Sequence, residues 1–131
     1  MSCCNQSICW IAGNTGVLMA RVVDVDDDPI LQADVDSIRV DLLDMTDPSD
    51  PTPVDSTGTE ITDGSAYSEP DEADVVFDTY QTDSRWTKDS TGYNFAYAMA
   101  VPTRDVSYEV RITITLTSGN TQVAVWTINA K

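Results

Sequence analysis

The strongest signal in the chain is an alternation of apolar and polar residues near its end. Tyr108, Val110, Ile112, Ile114 and Leu116 fall on one side, and Glu109, Arg111, Thr113, Thr115 and Thr117 on the other. A period of two belongs to a strand with one buried and one solvated face. Ser118-Gly119-Asn120 reads as a hairpin turn, and Val123 to Ile128 returns with apolar residues on both faces, which predicts a central or covered strand. Upstream, Tyr93, Phe95, Tyr97, Met99 and Val101 alternate with Ala96, Ala98 and Ala100 until Pro102 ends the run. The small side chains predict close approach of a second layer on that face.

Weaker strands precede these. In Val17 to Val23, Leu18, Ala20 and Val22 share a face; in Val35 to Leu43, Ile38, Val40 and Leu42 do. The Asp-rich, Pro-containing stretch between them predicts a sheet-edge hairpin or a corner. Residues 44–74 hold Pro48, Pro51, Pro53 and Pro70 and an Asp63-Gly64 turn signal. Proline withholds a ladder donor, so this is a long surface excursion crossing between sheets. It has room for a short strand near Val54 or at Thr59–Thr62. Val75-Val76-Phe77 reads as a short buried strand, and Asp78 to Arg85 as a helical turn or loop leading into Trp86. Residues 1–16 read as an N-terminal arm, polar apart from isolated Ile8, Trp10 and Ile11 and ending in a Gly13–Gly16 loop signal. The expected architecture is all-β: an antiparallel β-sandwich of about seven strands over residues 17–131, preceded by the arm.

Charge narrows the choice of partners. Across 131 residues, 22 acids face 7 bases, for a net charge of −15. Such a surface repels phosphates and anionic headgroups, so neither nucleic acid nor membrane is an expected partner. Acidic, lysine-poor surfaces also suit salty environments. No apolar run is long enough to span a bilayer. The opening MSCCNQSICWIAG has no basic leader and no sustained apolar stretch, so the expectation is a protein made in a cytoplasm without a secretory signal. Cys3, Cys4 and Cys9 are odd in number and the chain has no histidine. Free thiols are expected, with an intersubunit disulfide or metal site as the alternative.

Candidate chemistry is sparse. Asp24, Asp26 and Asp28 could offer hard oxygen ligands to calcium, the one cofactor the sequence leaves open. The EF-hand pattern fails, because Pro29 stands at its sixth position and Val35 at its twelfth. Without histidine there is no triad, and no phosphate-cradling glycine loop or nucleophile elbow occurs, so a non-enzymatic role is expected. Tyr67, Tyr80, Trp86 and Tyr97 are candidates for a sugar-stacking platform, with a core role as the competing reading for Trp86 and Tyr97. Ile8, Trp10 and Ile11 are candidate docking residues on the arm.

Asp89-Ser-Thr-Gly92-Tyr93-Asn-Phe95 resembles the Asp-x-Gly-x-Tyr corner of immunoglobulin-like domains, with the Gly-to-Tyr spacing one residue shorter. More broadly, the chain resembles the small immunoglobulin-like domains of phage virion proteins, including the N-terminal domain of baseplate upper proteins. The matching features are the aspartate-rich turn before Pro29-Ile30, Trp86 with Asp89, Gly92 and Tyr93, and the closing hairpin with Tyr108, Val110, Ile112, Gly119 and Asn120. This resemblance implies an oligomeric structural component of a virion (outer head decoration, neck, tail or baseplate accessory). Such a component would be non-catalytic and would contact other virion proteins or copies of itself. The competing expectation is an extracellular calcium- or carbohydrate-binding module.

Overall fold

Among the described residues, eight strands form two sheets packed face to face, an all-β sandwich. The computed structural model describes the backbone of residues 2–131 and the side chains of residues 9–131. The strands are β1 (Ser2–Trp10), β2 (Gly16–Ala20), β3 (Val35–Asp44), β4 (Thr52–Val54), β5 (Val76–Gln81), β6 (Tyr93–Met99), β7 (Ser107–Leu116) and β8 (Thr121–Ala130). A one-turn helix, α1 (Glu72–Val75), precedes β5. The five-stranded sheet has the order β1-β8-β7-β3-β4, and the three-stranded sheet β2-β6-β5.

The alternation read from the sequence sets the core. Tyr108, Val110, Ile112, Ile114 and Leu116 of β7 are all buried, with Ile38, Val40 and Leu42 beside them on β3. Phe95, Tyr97 and Met99 of β6 and Leu18 of β2 belong to the same apolar cluster. Each aliphatic side chain taken fully out of water here contributes about 1.5–3 kcal/mol. β8 is central in its sheet, paired with β7 on one side and β1 on the other.

Three expectations are corrected. Residues 2–10 are not an arm. They form the edge strand β1, which runs parallel to β8 from Ser2↔Val123 to Trp10↔Ala130 and makes the sandwich eight-stranded. This strand has no alternating apolar pattern because it pairs on one edge only, and backbone pairing is indifferent to side-chain type. The segment after Phe77 is neither helical turn nor loop at first, because β5 continues to Gln81, opposite Tyr93. The alanine face of β6 is only partly covered: Ala98 is exposed, and Ala96 and Ala100 are half-buried.

The stretch between β2 and β3 is a corner that carries the chain from one sheet to the other. Residues 44–74 do cross between sheets. They are held against β3 by β4, by Val40↔Ser68 and by an Arg39 guanidinium donating to the Gly64 carbonyl at 2.8 Å. Within this excursion, Asp44, Asp47, Asp55 and Asp63 each accept a hydrogen bond from the backbone N–H of the Ser or Thr two residues on, at 2.8–3.1 Å. An aspartate carboxylate in that position mimics a backbone turn, so the excursion is ordered by local turn chemistry rather than by apolar burial.

Candidate functional site

The turn from β5 to β6 is organised around one carboxylate. Asp89 Oδ1 accepts from the Thr91 and Gly92 backbone N–H groups at 3.0 and 3.3 Å, from Trp86 Nε1 at 3.3 Å, and from the Arg21 guanidinium. Arg21 Nε also donates to the Gly92 carbonyl at 2.9 Å. Its guanidinium lies 5.7 Å from the Tyr80 ring centroid and 5.8 Å from that of Trp86. A second carboxylate, Asp83, accepts from the Tyr93 hydroxyl at 2.6 Å and from Arg85 at 2.8 Å. The Trp86 and Tyr93 rings pack at 5.7 Å, which locks the loop to the start of β6.

These carboxylates are held well below the usual range, Asp89 by the Arg21 hydrogen bond first and Asp83 by Arg85 and then Tyr93. A depressed folded-state pKa adds stability that is complete above the unfolded value of about 4. That contribution is lost as the pH falls through the folded value. Asp89→Asn should therefore lower the melting temperature near neutrality and show a shallower further loss than the wild type below about pH 4. Thermal melts across that range check this, and parallel curves would refute it.

A cavity of about 520 Å³ opens beside this turn, between the β2 side of the small sheet and the β7–β8 hairpin. Ile114, Ala124 and Trp126 give it an apolar floor, and Tyr80 and Trp86 stand in its wall with Arg21 between them. Of the four aromatics proposed for sugar stacking, Tyr80 and Trp86 are thus brought together. Tyr97 is buried, and Tyr67 packs against the core with its hydroxyl donating to the Ala100 carbonyl at 3.2 Å. Nothing in the local pattern of the chain marks Trp126 or Gln122 as lining residues. Trp126 lies on a core strand, and the approach of Arg21 to Trp86 spans 65 positions that no local pattern connects.

The aspartate corner serves its own loop. Asp24 accepts from the Asp26 and Asp28 N–H groups at 2.8 and 3.1 Å, and its backbone N–H donates to the Asp28 carbonyl at 2.9 Å. Asp27 takes a left-handed conformation at φ 64° to close the tip. Among the described residues no three acidic or cysteine side chains converge as a metal site. Because the Asp24 carboxylate is bonded within its own loop, millimolar calcium is expected to leave the melting temperature where magnesium leaves it. A calcium-specific rise abolished by Asp26→Ala would overturn this.

The proposed docking residues separate. Trp10 is only 8% exposed, its Nε1 donating to the Asn14 carbonyl at 2.7 Å, so it anchors β1 to its own domain. Ile11 is 62% exposed. The side chain of Ile8 lies outside the described residues, as do those of Cys3 and Cys4; Cys9 is a free, exposed thiol. No helix among the described residues is long and apolar enough to cross a membrane.

The corner anticipated at Asp89–Tyr93 is built differently from its prototype, since the Tyr93 hydroxyl goes to the Asp83 side chain. The geometry of a tyrosine hydroxyl bonded to backbone a few residues upstream occurs instead at the start of β7, where the Thr103 N–H donates to the Tyr108 hydroxyl at 3.2 Å. No protein-family model matches the chain, and no curated protein matches it significantly.

Proposed function

We propose that this chain is a non-enzymatic structural component of a phage virion, sited on the outer head, neck, tail or baseplate. It would have an immunoglobulin-like fold and assemble edge to edge with copies of itself or other virion proteins. The observation that carries this reading is the character of β1. Residues 1–20 contain no charged side chain, whereas all 29 charged residues lie in the remaining chain. β1 stands at the end of its sheet, nine residues long, without charge and without proline. Soluble domains normally blunt an edge of that length with lysine, proline or a covering loop. The other end of the same sheet is treated in that way: β4 is three residues long, carries Pro53, and is capped by Val54↔Glu60 and the Ile61 N–H donating to the Pro53 carbonyl. An unprotected edge in a protein of charge −15 suits strand addition to a partner.

Strand order supports the immunoglobulin-like part. Read in chain order, β8-β7-β3-β4 follows the arrangement of strands G, F, C and C′, and β2-β6-β5 that of B, E and D. The Tyr108–Thr103 hydrogen bond falls at the start of the F equivalent. The acidity elsewhere favours a position away from packaged DNA.

Deleting residues 1–16 would not test docking, because it removes a strand of the fold. Asn5→Lys combined with Ser7→Lys is the better probe, since these positions register with the partly exposed Val125 and Thr127 of β8, and lysines on an edge strand oppose further pairing without removing the strand. The wild type is expected to self-associate in sedimentation velocity or to be found in purified particles by mass spectrometry, and the double variant to stay folded but drop out of both. A wild type that is monomeric and absent from particles, or a variant that incorporates normally, would sink the proposal.

A further inference from the structure

The cavity beside the β5–β6 turn holds a polar group that the fold itself does not use. Gln122, the second residue of β8, is only 6% exposed, yet among the described residues its side-chain amide has no hydrogen-bond partner. No polar side-chain atom among the described residues is both sealed from solvent and unsatisfied, so the Gln122 amide is reached through the cavities it lines. Buried amides are ordinarily bonded, so one kept open in an apolar chamber marks a place where a ligand supplies the partner.

From these features we infer that this cavity is a binding site for a single neutral pyranose unit, such as a residue of a glycan. Three features select that chemistry. First, Tyr80 and Trp86 stand in the wall with Arg21 fixed near both rings, so the aromatic surface is held in place before any ligand arrives. A pyranose offers such rings an apolar C–H face. Second, the floor of Ala124 and Trp126 is apolar while Gln122 supplies a donor and an acceptor at depth, and a sugar carries hydroxyls around the edge of that same apolar face. A purely hydrocarbon ligand would leave the amide stranded. Third, the site offers an anion little. Arg21 is paired with Asp89, Lys88 at the rim has an interaction of its own, and Asp27 also lines the mouth. The volume of about 520 Å³ lies within the range of small-molecule sites.

This inference stands apart from the assembly proposal, because none of the described lining residues lies on β1 and the test needs no particle. The full chain is titrated with methyl glucoside, methyl galactoside, methyl mannoside and methyl N-acetylglucosaminide into the millimolar range. Tryptophan fluorescence and ligand-observed saturation-transfer NMR follow binding. At least one glycoside is expected to bind saturably. Trp86→Ala should weaken it about tenfold by removing a stacking wall, and Gln122→Leu by a similar factor by removing the amide. If Trp86→Ala fails to fold, Gln122→Leu, a change of similar volume, decides the matter alone. The inference is overturned if no glycoside binds saturably, or if folded Gln122→Leu binds as the wild type does. It is equally overturned if an apolar fluorophore such as anilinonaphthalene sulfonate saturates the cavity and no glycoside displaces it.

Discussion

Gly92→Ala is expected to destabilise the protein by about 3 kcal/mol or more, a fall in melting temperature of about 10 °C. Two independent costs meet at this residue. Its φ is +103°, a backbone conformation that only glycine adopts freely. A Cβ there would also sit 2.3 Å from the Gln81 carbonyl oxygen and 2.9 Å from its carbon. That obstacle is backbone at the end of β5, so no rotamer change relieves it. Any movement that did would pull the Gly92 carbonyl from Arg21 and its N–H from Asp89, undoing the turn that holds Trp86 in the cavity wall. Gly119→Ala is the control, because Gly119 has φ +94° but open space around it. The difference between the two variants in urea unfolding isolates the steric part. Equal costs would show that the turn can yield.

Trp10→Ala should cost about 3–5 kcal/mol, the usual range for removing a buried tryptophan. Trp10 belongs to the apolar core cluster, and its ring covers Gly16 so closely that a Cβ at that position would lie 2.3 Å from it. The ring fastens the end of β1 to the start of β2. Three backbone hydrogen bonds add to this clamp: Lys131 N–H to the Trp10 carbonyl at 2.8 Å, Ala12 N–H to the Lys131 carbonyl at 3.1 Å, and Gly13 N–H to the Val101 carbonyl at 3.0 Å. With the ring gone, β1 is held by its ladder to β8 and these main-chain bonds, without apolar anchorage from Trp10. Amide hydrogens of β8 that face β1 should then exchange faster, while those of β3 facing β7 change only with global stability. A Trp10→Ala variant as stable as the wild type would mean that β1 adds nothing to the domain.

The residues that were legible in the sequence are those whose role is set by period. Tyr108 to Leu116, Tyr93 to Met99 and Ile38 to Leu42 declare their buried faces by alternation, because a half-buried strand can satisfy its environment in no other way. β1 was illegible for the complementary reason. Its place depends on backbone pairing with a partner some 120 positions away, as Trp10 with Ala130, and SCCNQSIC has no face to declare. Acid content carried a further signal. Beside its net charge, the acid content holds the repeated Asp-x-Ser/Thr steps at 44–46, 47–49, 55–57 and 63–65, which are turn formers. That signal was present in the sequence and needed only to be read as turn chemistry. The cavity is the least legible feature, because its described walls come from four strands and two loops.

The parallel ladder between β1 and β8 also has a kinetic consequence. It is the contact of longest sequence separation in the sandwich, and closing so large a loop is entropically expensive before any pairing rewards it. Hairpins such as β7–β8 can form early from neighbouring residues, whereas β1 must wait for β8 to be in place. A late folding species would therefore have β7 and β8 paired and the outer edge of β8 still vacant. That edge accepts a β1 segment from its own chain or from a neighbour with the same hydrogen bonds. At high concentration the refolding yield of monomer should fall, with exchanged dimers as the by-product, and the choice between them is settled in the last step of folding.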